Sequence, residues 1–117
     1  MPRDGRHQQK SINNEQFAEG LDKSDHTAEL WGVIAIFYSA LHCVQSVLGY
    51  CGSHKERAVL IARHPILRYV ASAYDHLQWM SHEARYKVAS DPRWPRKPYH
   101  EAKIRLDAVK NQVEKVP

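Results

Sequence analysis

Between positions 30 and 48 the chain places Leu30, Val33, Ile34, Phe37, Leu41, Val44 and Leu48 mostly three or four residues apart. That is the repeat of an α-helix with an apolar face. A helix this apolar needs partners around it, and the rest of the sequence supplies helical patterns only. No segment alternates apolar and polar residues, and there is no Asn-Gly hairpin signal. Ser24 or Asp25 can cap the start of the long helix, and Gly49 and Gly52 end it. Ser53 and Glu56 then form a capping-box pattern before the apolar run Ala58 to Ala62. His64-Pro65 breaks that second helix, because the residue before proline is pushed out of the α region.

A third helix is expected from about Pro65 to Val88. DPRWPRKP, with three prolines in eight residues, must be a stiff loop. The last helix starts near Pro98 or Tyr99 and spaces Ala102, Leu106, Val109, Val113 and Val116 for a helical partner. The 117 residues suit one domain. Residues 1–23 are polar with scattered apolar positions and read as a flexible N-terminal arm. Residues 24–117 read as a single all-α, up-down bundle of four to five helices. Tyr38, Ser39, His42, Gln45 and Ser46 interrupt the apolar stretch and argue against a membrane span. MPRDGRHQQK lacks the apolar core of a secretory signal, so a cytoplasmic location is expected. On one helix Cys43 and Cys51 would lie about 12 Å apart, beyond the roughly 7 Å reach of a disulfide. No metal or other cofactor is expected, since the histidines fall in no strong ligand spacing.

Tyr38, His42 and Gln45 stand at i, i+4 and i+7 and share a helix face beside the apolar one. Tyr74, Gln78, Ser81 and Arg85 form a similar stripe on the third helix. One reading is a set of buried polar groups satisfying one another. The sharper reading brings the two stripes together with His54 and Arg57 around a phosphate. Arginine offers a fork of donors and histidine moves protons near neutral pH. From Arg85 to Arg105 there are seven basic residues against two acidic ones, with Tyr86, Trp94 and Tyr99 interleaved. Basic groups contact phosphates and aromatic rings stack on unpaired bases. The alternative is a solvated loop whose aromatic rings pack back on the bundle. Nucleotide-binding loops of the GxxxxGK[ST] and GxGxxG types and the GxSxG elbow are absent.

WGVIAIFYSALHCVQSVLG, then SHKER, then YDHLQWMSHEARY together resemble the small bacterial branch of the HEPN superfamily. The likeness runs over roughly residues 28–113. Phe37 to His42 matches an fYxalH-like segment, and Tyr74, Leu77, Ser81, Ala84, Arg85 and Tyr86 match a later helix end. The resemblance implies a four- to five-helix bundle that dimerises. It also implies, for many members, metal-independent cleavage of RNA in toxin–antitoxin or phage-defence systems, with the RNA 2′-hydroxyl as nucleophile. The family signature is an Arg followed after four to six residues by a His. Here Arg57 and His64, and Arg93 and His100, have a six-residue separation, while Arg85 has no such His.

On this basis His42, His54 and Arg85 are the expected catalytic residues. Arg85 would hold the scissile phosphate, and His42 or His54 would move the proton. Arg57, Tyr86, Arg93, Trp94 and Arg96 are the expected nucleic-acid-binding residues. The expected partners are RNA or a nucleotide, a second copy of the chain, and an antitoxin or defence-complex protein, with no membrane. The alternative is a non-catalytic HEPN interaction or dimerisation module that binds a partner protein or nucleotide. A third reading is a helical adaptor docking through Ala102 to Val116.

Overall fold

A computed structural model describes residues 4–87 and 90–117. It contains five α-helices: α1 (Gly5–Glu19), α2 (His26–Leu48), α3 (His54–Arg63), α4 (Ala71–Tyr86) and α5 (Pro98–Glu114), with a 3₁₀ turn at Leu67–Val70. No strand occurs among the described residues. The all-α bundle is thus as the apolar periodicity requires.

α2 is the axis of the bundle, with α1, α4 and α5 packed along it. Its Val33, Ile36, Phe37, Ala40 and Val44 are fully buried against Tyr74, Leu77 and Met80 of α4 and Leu106 and Val109 of α5. Each large apolar side chain removed from water in this way contributes about 1.5–3 kcal/mol. α2 is long and apolar enough to cross a membrane, with mean hydropathy 1.5 in its most apolar window, yet 78% of that window is buried inside the bundle. Its apolarity is therefore used by the other helices. Gly32 lets α5 approach: a Cβ there would stand 3.1 Å from the Tyr99 ring.

Local signals set the helix ends. The Asp25 carboxylate accepts from the Ala28 N–H and starts α2. Gly49, at φ 77°, turns the chain out of it in a left-handed conformation that disfavours side chains. The Ser53 hydroxyl accepts from the Glu56 N–H, and the Glu56 carboxylate reaches back to the Gly52 N–H. Pro98 opens α5. The third expected helix is divided: Leu67–Val70 is a 3₁₀ turn and α4 begins at Ala71. Its physical cause is His64, whose Nδ1 accepts from both the Ile66 and Leu67 N–H groups and holds the chain in a turn. The expected end of that helix at Val88 lies outside the described residues.

The flexible arm is corrected: most of residues 1–23 is α1, docked on α2. The residues that α1 buries are small, Ser11 and Ala18, while Ile12 and Phe17 face outward. The Ser11 hydroxyl donates to the Ser39 carbonyl and the Ser39 hydroxyl to the Ser11 carbonyl, both at 2.8 Å. The Glu15 carboxylate bridges Lys103 and Lys110 of α5, and Glu19 also pairs with Lys103. These cations hold the Glu15 carboxyl below its usual range against the opposing effect of burial. An interface of small residues, backbone acceptors and ion pairs has no apolar period to read.

This docking makes a prediction. Ser39 is fully buried between α1 and α2, so Ser39→Leu should destabilise the protein by about 1–3 kcal/mol through overpacking. Chemical denaturation checks it, and an unchanged midpoint would mean that α1 does not pack there.

Candidate functional site

The three polar residues of α2 have three different partners. Gln45, one helical turn from the C-terminus of α2, offers its side-chain oxygen to the Nε–H and an Nη2–H of Arg57, at 3.1 and 3.0 Å. Tyr38 accepts from Nη1 of Arg85 at 2.8 Å. His42 meets His7 of α1, with the two Nδ1 atoms 3.0 Å apart and the rings stacked. The polar stripe thus joins α2 to α3, α4 and α1 in turn.

Arg57 is only 6% exposed. Its guanidinium donates to neutral acceptors: Gln45, the Nδ1 of His54 at 3.0 Å, and the Tyr74 hydroxyl at a long 3.5 Å. No carboxylate pairs with it among the described residues. Burial pushes the Tyr74 phenol up to about 12 in spite of the adjacent guanidinium, so Tyr74 is neutral.

The contact between Arg57 and His54 fixes the form of the imidazole. A guanidinium has donors only. His54 Nδ1 must therefore accept, which leaves the neutral ring with its proton on Nε2. Burial, Arg57 and Arg85 all lower the pKa of His54 and favour this neutral state. In His42 burial is again the largest cause of a lowered pKa, followed by His7, Lys10 and Arg57. Where both rings of the His7–His42 pair are neutral, one Nδ1–H donates to the other Nδ1, and the donor ring keeps an unprotonated Nε2.

Arg85 lies between aromatic rings, its guanidinium carbon 5.5 Å from the Tyr38 centroid and 5.2 Å from that of Tyr86. Its Nε is buried without a hydrogen-bond partner among the described residues. Tyr86 is 66% exposed. The structure therefore brings together Tyr38, His54, Arg57, Arg85 and Tyr86, with His42 one turn from Tyr38 on α2. The permanently charged neighbours that shift His42 and His54, Lys10, Arg57 and Arg85, are all cations. Such an assembly favours an anion, which relieves the mutual repulsion and accepts from donors already aimed.

The remaining expected residues are arranged differently. Arg57 is too buried to lie along a strand; it positions His54. Trp94 is half-buried and packs on Trp79 and the two apolar clusters, which is the loop-packing alternative. Arg93 makes a two-point pair with Asp91, at 3.1 and 2.8 Å, and lies over the Trp79 ring. Arg96 lines an open depression with Lys97 and His100. Neither six-residue Arg/His spacing forms a unit, since His64 is committed to its turn and Arg93 to Asp91. Sequence reasoning missed His7 altogether. The signal was the line His7, Ser11, Ala18, at steps of four and seven on one face of α1.

No protein-family model, curated protein or solved structure matches this chain.

Two measurements follow. Gln45→Leu removes the shared acceptor of a buried guanidinium and should cost about 1–3 kcal/mol or more, because a charged donor is left unmatched; a denaturation midpoint equal to wild type would refute the network. The second concerns pH. His42, His54 and His76 all have pKa values lowered chiefly by burial. Between their folded values and the ordinary value of about 6.5 the unfolded chain binds more protons. Their contribution is thus full above about pH 7 and is lost as pH falls from about 6.5 through the lowered values. The melting temperature should fall between pH 7 and pH 5, and His42→Gln should flatten that slope.

Proposed function

We propose that this chain is a HEPN-like domain that binds RNA in the Arg85–Tyr38–His54–His42 cleft and cleaves it without a metal, as a cytoplasmic component of a toxin–antitoxin or phage-defence system. The observation that carries the reading is the set of cations around His42 and His54, namely Lys10, Arg57 and Arg85. A phosphodiester is an anion suited to such a site. The partnerless Nε and the forked donors of Arg85 suit its oxygens. The resemblance of the Phe37–His42 and Tyr74–Tyr86 segments supports the assignment to RNA.

The two histidines divide the work. His54 presents Nε2–H and has its other nitrogen occupied by Arg57, so it donates a hydrogen bond to a phosphate oxygen and is no general base. The His7–His42 pair retains an imidazole lone pair and is the proton acceptor for the 2′-hydroxyl. The resulting alkoxide attacks the adjacent phosphorus and forms a 2′,3′-cyclic phosphate, while the P–O5′ bond breaks and the leaving 5′-oxygen takes a proton from water, to which the protonated His7–His42 pair returns the one it accepted. Arg85 neutralises the charge that builds on the phosphoryl oxygens. Exposed Tyr86 provides a ring beside the cleft on which a base can stack.

A second reading has its own observation. Trp31, 55% exposed, borders a small groove with Leu30, Ile34 and Ala84, and Arg85 lies at its edge. This apolar surface fits a non-catalytic interaction or dimerisation module.

The test is cleavage of mixed RNA in EDTA by wild type, His42→Ala and Arg85→Ala, with melting curves for each. Loss of about 10²–10⁴-fold in His42→Ala that remains folded is expected for a proton-transfer group. Absence of EDTA-resistant cleavage by wild type would reject catalysis. Binding that persists with a steep salt dependence would keep RNA as the ligand, and its absence would favour the interaction module.

A further inference from the structure

Outside the cleft, an open groove of about 590 Å³ lies between α3 and α4, within the roughly 300–1,000 Å³ range of small-ligand sites. Asp75, Gln78, Trp79 and His82 line it from α4, at i, i+3, i+4 and i+7, and His54 and Lys55 line it from the first turn of α3. His54 is shared with the cleft, so the groove continues from the phosphate-facing site. Asp75 is its unusual member. Its carboxylate has no hydrogen bond or ion pair among the described residues. Asp75 is exposed to the groove's solvent, so its carboxylate is free to accept from a ligand, and partial burial raises its pKa.

We infer that this groove is a nucleobase subsite selective for guanine, in which the Asp75 carboxylate accepts from two adjacent N–H groups of the base. The inference rests on the RNA reading of the neighbouring cleft and names the base that accompanies the bound phosphate. The selectivity follows from donor patterns. The Watson–Crick edge of guanine presents N1–H and the N2 amino group side by side, a match to a two-oxygen acceptor. Adenine and cytosine present one amino group next to an unprotonated ring nitrogen. Uracil presents a single N–H between two carbonyl oxygens, which a carboxylate repels. Gln78, one turn along α4, can donate to the guanine O6. Trp79 forms the apolar wall, with the Arg93 guanidinium 5.3 Å from its ring centroid, and Lys55 supplies a cation for the attached phosphate.

Two sources of guanine share this chemistry, a residue of an RNA strand and a free guanosine nucleotide. The experiment is calorimetric titration of the full chain with GMP, AMP, CMP and UMP, and with oligoribonucleotides that contain or lack one guanine. It is repeated on Asp75→Asn, Gln78→Ala and Arg85→Ala, whose folds are checked by circular dichroism. GMP should bind at least about tenfold tighter than the other three nucleotides, as one good bidentate contact provides, and Asp75→Asn should abolish that difference. Guanine-containing oligoribonucleotides should show the same preference in wild type. Equal affinities, no binding of any nucleotide or oligoribonucleotide, or a preference that survives in Asp75→Asn would overturn the subsite. GMP selectivity without RNA binding would retain the subsite and reject the RNA reading. RNA binding that depends on Arg85 but ignores guanine would do the reverse.

Discussion

The buried guanidinium of Arg57 is the constraint on which the site depends. Removing an arginine from water is costly, and proteins usually offset the cost with a carboxylate. Here the partners are a glutamine oxygen, a histidine nitrogen and a phenol. The hydrogen bonds are satisfied while the charge is left in place. Gln45 ties α3 to α2, Tyr74 ties it to α4, and His54 is held by its Nδ1 at the mouth of the groove. The positive potential then extends to His42 and to Cys51, whose thiol feels Arg57 against the upward push of burial. A salt bridge would have held the same helices together but cancelled the field.

α1 completes the arrangement from the opposite side. Its His7 is placed at His42 by contacts that have nothing to do with imidazole chemistry: the reciprocal Ser11–Ser39 bonds and the Glu15 bridge to Lys103 and Lys110. Acidic residues are thus concentrated where α1 meets α5. This segregation reconciles a net charge of only +4 with a locally cationic site.

The parts of this structure legible in the sequence are those written in apolar periodicity and capping chemistry. The α2 register, the Asp25 and Ser53 caps, the break at His64 and the start of α5 at Pro98 all follow from single residues whose backbone preferences are strong. The docking of α1 was illegible because Ser11 and Ala18 bury little area and the bonding runs through backbone carbonyls. The 3₁₀ turn was illegible because it depends on the His64 imidazole reaching two N–H groups ahead of it. At the site, the stripe Tyr38, His42, Gln45 was visible as an anomaly on a core helix. Its partners were visible only in part, since Tyr74 and Arg57 belong to other helices and His7 to a segment with no apolar signal.

The same hydrogen bond that makes His54 visible as a site residue also limits its chemistry. An imidazole with Nδ1 held by a guanidinium cannot switch its proton to that nitrogen without facing a donor with a donor, so its Nε2 stays protonated and unable to take a proton. Two histidines near one another with equal residue identity therefore have unequal capacities, set by what touches the far nitrogen of each. His54 faces the α3–α4 groove as a fixed donor. His42 faces another imidazole, the one partner that can both give and accept, and a proton added to either ring is shared with the other. The burial that lowers the pKa of both favours the neutral ring in each; in His54 that neutral ring is a donor through Nε2–H, because Arg57 occupies Nδ1, whereas the His7–His42 contact leaves an imidazole lone pair within the pair.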